Sequence, residues 1–165
     1  MYVHYICSRN KFLLVRLEDE IKQSTFQSEG QKAYLNILFT SGWLSLRQAA
    51  AFRPYGLTLP QFNVLRILRG QHPRPATVAM LIERMLDKTS NASRIVDKLE
   101  EKKLVTRTVC PANRRAVDIC ITEAGLALLQ HIDDSGLTDF RQSSLNTLTE
   151  SELELLNQLL DKIRA

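Results

Sequence analysis

Apolar residues recur at helical spacing along most of the chain and alternate in one segment. Over residues 31–52, Tyr34, Leu35, Leu38, Phe39, Trp43, Leu46, Ala49 and Ala50 follow a period near ~3.6, with no proline until Pro54. They cover more than one stripe, as in a central core helix or a helix that also serves a subunit interface. Thr58-Leu59-Pro60-Gln61 is a capping box with proline in the first turn. It opens a short helix with Phe62, Leu65 and Leu68 inward, ending at Gly70. Two prolines make residues 72–75 a loop. A second short helix is expected over residues 76–85, with Val78, Leu81, Ile82 and Met85 inward, followed by a break at Leu86-Asp87. A third is expected over residues 88–102, with Ala92, Ile95, Val96 and Leu99 in one narrow apolar stripe.

Val105, Arg107 and Val109 then alternate on one side of a polar break, and Val117, Ile119 and Ile121 on the other. Period two about a turn predicts a β-hairpin, with Arg114 and Arg115 at its exposed tip. Thr122 caps a helix over residues 123–134, and Thr149-Glu150-Ser151-Glu152 is a second capping box. The helix it opens carries Leu153, Leu156, Leu159, Leu160 and Ile163 on one side, which Leu155 widens. The pattern predicts a mostly α fold with a small β-hairpin wing. Residues 1–16 lack this order and read as a leader, disordered or packed on a partner subunit. Residues 17–165 read as a single domain.

Composition changes the picture in one respect. Over residues 53–123 there are 13 Lys/Arg against 7 Asp/Glu, a net of +6 within a chain whose formal total is +4. The basic character belongs to the two short helices, the third helix and the hairpin, and it favours a polyanionic partner. No apolar run approaches the ~18 residues of a membrane span. Cys7, Cys110 and Cys120 form no CxxC pair, so a reduced cytoplasmic chain is the default. His4, His72 and His131 have no metal-ligand spacing, and neither a phosphate loop nor a nucleophile elbow is present. The sequence therefore offers no catalytic, metal or cofactor site, and an enzyme is not expected. Asp133, Asp134 and Asp139 read as solvated carboxylates near a helix end.

Helix, short turn, helix and hairpin is the order of a winged helix-turn-helix. In that arrangement the third helix enters the major groove of double-stranded DNA and the hairpin tip contacts backbone or minor groove. The side of the third helix opposite its apolar stripe carries Ser90, Arg94 and Asp97, flanked by Asn91, Ser93 and Lys98. Such a face is either a solvated surface or one that reaches base edges and phosphates. The candidate DNA contacts are Lys88, Thr89, Ser90, Asn91, Ser93, Arg94, Lys98, Arg114 and Arg115.

Several motifs occur in a fixed order: Gly56-Leu57-Thr58-Leu59-Pro60-Gln61-Phe62, Leu86-Asp87-Lys88-Thr89-Ser90, Arg94-Ile95-Val96-Asp97-Lys98-Leu99-Glu100, Leu104-Val105-Thr106-Arg107, Asn113-Arg114-Arg115 and Ile121-Thr122-Glu123-Ala124-Gly125. This string resembles the MarR family of transcriptional regulators over about residues 31–163. The resemblance implies a homodimer joined through residues 17–52 and 126–165, with residues 53–125 as the DNA-binding lobe. It further implies a repressor bound to a pseudo-palindromic operator with half-sites about 10 bp apart. It also implies response to a small aromatic or phenolic ligand. Phe39, Trp43, Leu46 and Phe62, with Arg53 or Arg66 for an anion, are candidates to line that pocket, and all serve equally as packing residues.

Two positions depart from the family pattern. Asn113 stands where an Asp usually braces the wing cations, and Lys103 stands where a Gly usually ends the third helix. Lys103 must then either accept the left-handed strain or end the helix differently. Two other readings use the same scaffold. One is a thiol-based redox sensor, against which Cys110 and Cys120 fall opposite Ala116 and Thr106 in the expected register, too far apart to bridge. The other is a winged helix that binds protein rather than DNA.

Overall fold

The computed structural model describes residues 15–109, 117–137 and 145–165. The chain divides into two compact units, Met1–Leu46 and Arg47–Ala165. The leader expected over residues 1–16 lies almost wholly outside the described residues, as do Cys7, Cys110, Asn113, Arg114, Arg115 and Asp139.

In the first unit, α1 (Leu17–Ile21) precedes α2 (Glu29–Phe52), whose last turns belong to the second unit. Glu18 joins the two helices: its carboxylate accepts from Lys32 Nζ at 2.8 Å and from Arg16 at 2.8 Å. The Lys32 bond, foremost, holds the Glu18 carboxyl down at about 2. The two-sided apolar pattern of α2 is reflected in its exposure, since Tyr34, Leu38 and Leu46 are all more than half exposed.

The second unit holds a continuous apolar core. Phe52 at the end of α2 stacks on Phe62 with ring centroids 4.2 Å apart. A 3₁₀ turn (Arg53–Tyr55) leads through Gly56, at φ +63°, to α3 (Leu59–Gln71). The capping box forms as expected: Thr58 Oγ1 accepts the Gln61 N–H, and Gln61 Oε1 accepts the Thr58 N–H. Phe62, Leu65 and Leu68 face the core, joined by Val64 and Ile67. α4 (Val78–Arg84) is shorter than the expected 76–85 because Thr77 caps it, its hydroxyl accepting the Met80 N–H at 3.2 Å. Ile82, expected inward, is exposed.

α5 (Ala92–Glu101) buries Ala92, Val96 and Leu99, with Ile95 half-buried beside them, as the stripe predicts. Its start corrects the expected Lys88. Asn91 is the N-cap, its Oδ1 accepting the Arg94 N–H at 3.0 Å. A side chain that satisfies an orphan helical N–H fixes its own backbone outside the helix. Residues 88–90 therefore form a turn.

β1 (Val105–Val109) and β2 (Val117–Ile121) pair antiparallel, Val105 with Ile121 and Val109 with Val117. That is the expected register, and it sets Cys120 opposite Thr106. Ala76 adds an unexpected bridge to the sheet, exchanging two backbone hydrogen bonds with Ile119 at 2.8 and 2.9 Å. α6 (Glu123–Asp134) starts on the Thr122 cap and is tied to α3 by Arg69–Asp133 at 2.6 Å. α7 (Glu150–Ile163) starts on the Thr149 capping box, buries no residue, and leaves Leu155, Leu159 and Ile163 exposed.

The α5 C-terminus resolves the question posed by Lys103. Lys103 takes the left-handed conformation, φ +60°. Its N–H bonds Glu100 O at 2.8 Å, and the Leu104 N–H bonds Leu99 O at 3.0 Å, the paired bonds of a Schellman cap. The geometry that usually takes glycine is thus kept with a side chain in place. Lys103→Gly is expected to stabilise the protein by roughly 1 kcal/mol, read as a higher urea midpoint at unchanged slope. Gly125 gives the opposite case. A Cβ there would fall on the Leu104 carbonyl oxygen and 2.7 Å from Ile121 Cγ1. Gly125→Ala is expected to destabilise by about 1–3 kcal/mol in the same measurement.

Candidate nucleic-acid interface

The polar side of α5 and the turn before it form one continuous surface. Ser93, Arg94, Asp97 and Lys98 are exposed along the helix. Among the described residues Arg94 pairs with no carboxylate, so its guanidinium is available to a ligand. Lys98 Nζ instead lies on the Glu101 carboxylate at 2.8 and 2.9 Å. That pair is exposed on both sides and holds the ammonium only weakly.

Every residue of the turn, Leu86 to Ser90, takes part in a hydrogen bond that holds it. The Leu86 N–H donates to Asn63 Oδ1 on α3 at 3.0 Å. Lys88 places its ammonium on the last carbonyls of α4, Ile82 O at 3.1 Å and Glu83 O, where a cation suits the helix dipole. Asp87 takes three hydrogen bonds. Oδ1 accepts the Thr89 N–H at 2.9 Å and the Thr89 hydroxyl at 2.7 Å, and Oδ2 accepts the Ser90 hydroxyl at 2.5 Å. The Ser90 hydroxyl, then the Thr89 hydroxyl and N–H, hold the Asp87 carboxyl down at about 2, against an ordinary 3.8.

The wing is braced on the helix by residues that sequence reasoning did not select. Arg107 on β1 pairs with Asp97 and lies 3.8 Å from Glu100, both on α5. Lys102, just past α5, donates to Gly56 O at 2.5 Å and to Gln61 Oε1 at 2.9 Å, fixing the helix end on the start of α3. The signal for Arg107 was present: a cation on the same face of β1 as Val105 and Val109, and so turned toward a helix rich in carboxylates.

The structure thus brings Lys88, Thr89, Ser90, Asn91, Ser93, Arg94 and Lys98 onto one surface. Only three of them, Ser93, Arg94 and Lys98, lie within α5. Arg114 and Arg115 fall outside the described residues. The pocket candidates divide between the two units. Phe39, Trp43 and Leu46 belong to the first unit, and Arg53, Phe62 and Arg66 to the second. Phe62 is a core residue, with the Arg66 guanidinium 5.8 Å from its ring centre. Among the described residues no helix is long and apolar enough to cross a membrane.

The low Asp87 value has a direct consequence. A depressed native pKa contributes stability above the ordinary 3.8, and that contribution fades as pH falls toward about 2. Carboxyl carbon NMR is expected to show Asp87 titrating near 2 in the parent and closer to 3.8 in a Thr89→Val, Ser90→Ala double variant.

Known proteins share this arrangement. The model of the MarR family matches residues 55–116, a segment that holds α3, α4, α5 and β1 and stops just before β2. The HTH-type transcriptional regulator YpoP of Bacillus subtilis is 33% identical over 108 residues, which cover 65% of this chain and 74% of YpoP. The crystal structure of a MarR transcription factor from Planctomyces limnophilus superposes with a TM-score of 0.64 at 31% identity, covering 83% of this chain and 98% of that one. A Staphylococcus aureus MepR–DNA complex has the same fold, with a TM-score of 0.71 at 22% identity over 79% of this chain and 94% of that one. The helix-turn-helix, the braced hairpin and these likenesses agree: the chain belongs to the MarR family of transcriptional regulators.

Proposed function

We propose that the protein binds double-stranded DNA sequence-specifically as a homodimer and represses transcription from a pseudo-palindromic operator. The observation that carries this reading is the Arg94 guanidinium. It is exposed on the solvent side of a helix whose other side is locked into the core, and among the described residues it has no carboxylate partner. A fixed helix with a free cation and a hydroxyl at its first turn suits readout in the major groove, where Arg bonds guanine O6 and N7. The fold it shares with MepR, a protein crystallised on DNA, supports the same use of α5.

Dimerisation is supported by the exposed apolar residues of the two flanking helices, Tyr34, Leu38 and Leu46 on α2 and Leu155, Leu159 and Ile163 on α7. Surface of this kind at both ends of a chain is covered most simply by a second copy. In this division residues 17–52 and 126–165 join the copies and residues 53–125 bind DNA. A small aromatic or phenolic ligand that shifts the two lobes would then tune affinity, with Arg53 or Arg66 as its cation.

A duplex recovered by selection from a randomised pool tests the reading. Arg94→Ala is expected to weaken binding by about 1–3 kcal/mol and to relax preference at one base pair of each half-site. Parent affinity should fall steeply and linearly in a plot of log affinity against log salt. Parent-like affinity and base preference in Arg94→Ala would remove Arg94 from the contact surface. Salt-independent binding would favour the protein-docking alternative.

A further inference from the structure

The three bonds on Asp87 determine what the turn before α5 can offer to a ligand. A serine or threonine hydroxyl has one proton and two lone pairs, and an ionised carboxylate only accepts. The Thr89 hydroxyl proton is directed at Asp87 Oδ1 and the Ser90 hydroxyl proton at Oδ2. Toward any further partner, both hydroxyls therefore present lone pairs alone. A phosphate oxygen also has only lone pairs. While this geometry holds, neither hydroxyl can bond the DNA backbone, and the Asp87 charge beside them repels it.

In the major groove, the donors that such acceptors fit are the exocyclic amino groups, N6 of adenine and N4 of cytosine. The remaining anchors keep the turn in this state. Asn63 holds the Leu86 N–H, Lys88 sits on the α4 carbonyls, and Asn91 has its oxygen on the Arg94 N–H. The low pKa of Asp87 keeps it an acceptor throughout the physiological range.

We propose that Asp87 is a positioning residue for base selection: by holding the Thr89 and Ser90 hydroxyl protons, it makes this turn an acceptor surface that reads an amino group of adenine or cytosine and rejects phosphate. This rests on the DNA-binding reading above, and it divides the work at the interface. Arg94 supplies donors, and Thr89 and Ser90 supply acceptors a few residues earlier in the chain. Replacing Asp87 with Asn leaves one carbonyl oxygen and adds an amide donor. At least one hydroxyl proton is then freed, and the turn can bond thymine O4, guanine O6 or phosphate.

The test uses the full-length protein and duplexes selected from a randomised pool by the parent. In the recovered site, each adenine is replaced in turn by purine and each cytosine by 2-pyrimidinone, which removes only the amino group. The parent is expected to lose about 5–10-fold in affinity at one such position per half-site, the size of a single lost hydrogen bond. In Asp87→Asn the same replacement should cost less than about 2-fold, and a repeated selection should accept thymine or guanine there. Thr89→Val with Ser90→Ala, which leaves Asp87 in place, should also abolish the dependence, so the proposal stays testable if Asp87→Asn folds poorly. A merely structural role would lower affinity for every duplex alike and leave base preference unchanged. The proposal is overturned if amino deletion has no effect on the parent at any position, if Asp87→Asn keeps the parental preference, or if the double variant binds all sequences uniformly more weakly. If the parent recovers no duplex at all, the DNA-binding reading has failed, and the proposal fails with it.

Discussion

The backbone junction at the end of α5 is the constraint on which the winged helix-turn-helix depends. Lys103 turns left-handed so that the Leu104 N–H can reach Leu99 O. The Leu104 carbonyl then accepts the Thr122 N–H at 3.1 Å, and the Thr122 hydroxyl donates to Lys103 O at 2.8 Å. The same hydroxyl accepts the Gly125 N–H at 3.1 Å and so starts α6. Within a few residues, the end of one helix, the start of β1, the end of β2 and the start of the next helix share one hydrogen-bonded node. Gly125 is required because the Leu104 carbonyl occupies the space of its absent side chain. The orientation of α5 relative to the wing follows from this node, with Arg107 across Asp97 and Glu100 as a second brace.

The apolar core acts on the opposite side of α5. Val96 and Leu99 are fully buried against a cluster that includes Phe62, Leu65, Leu81 and Ile119. A helix clamped along its apolar stripe and at its C-terminus has little freedom to roll. Its first turn and the preceding residues are therefore presented at a fixed angle. One side of α5 is polar and open to solvent and the other is apolar and carries stability, and the ten residues of the helix supply both.

Much of this was legible in the chain itself, for reasons that differ by element. Thr58, Thr122 and Thr149 announce helix starts because their side chains satisfy N–H groups within three residues, a bond that local sequence encodes. The hairpin register follows from strict alternation about a polar turn. The start of α5 was not legible from periodicity, because Asn91, Ser90 and Thr89 continue a plausible helical face while their side chains bond locally. Reading Asn91 as a cap and Asp87 as an acceptor for the two hydroxyls would have found the turn. The charge count also overstated what the site offers. Arg69, Lys88, Lys102 and Arg107 lie in the basic segment, yet each is engaged within the fold. Long-range partners such as Asp133 for Arg69 cannot be read from spacing.

The bridge between Ala76 and Ile119 bears on how such a protein can diverge. It joins the loop before α4 to the middle of β2 through two main-chain bonds, and it asks of position 76 only a small buried side chain. The attachment of the wing to the rest of the lobe is thus carried partly by groups that every residue possesses. Drift in the exposed residues on either side, including Arg74 and the outward positions of the hairpin, leaves that attachment intact. The surface of the lobe can change residue by residue, while the geometry that presents those changes is inherited unaltered.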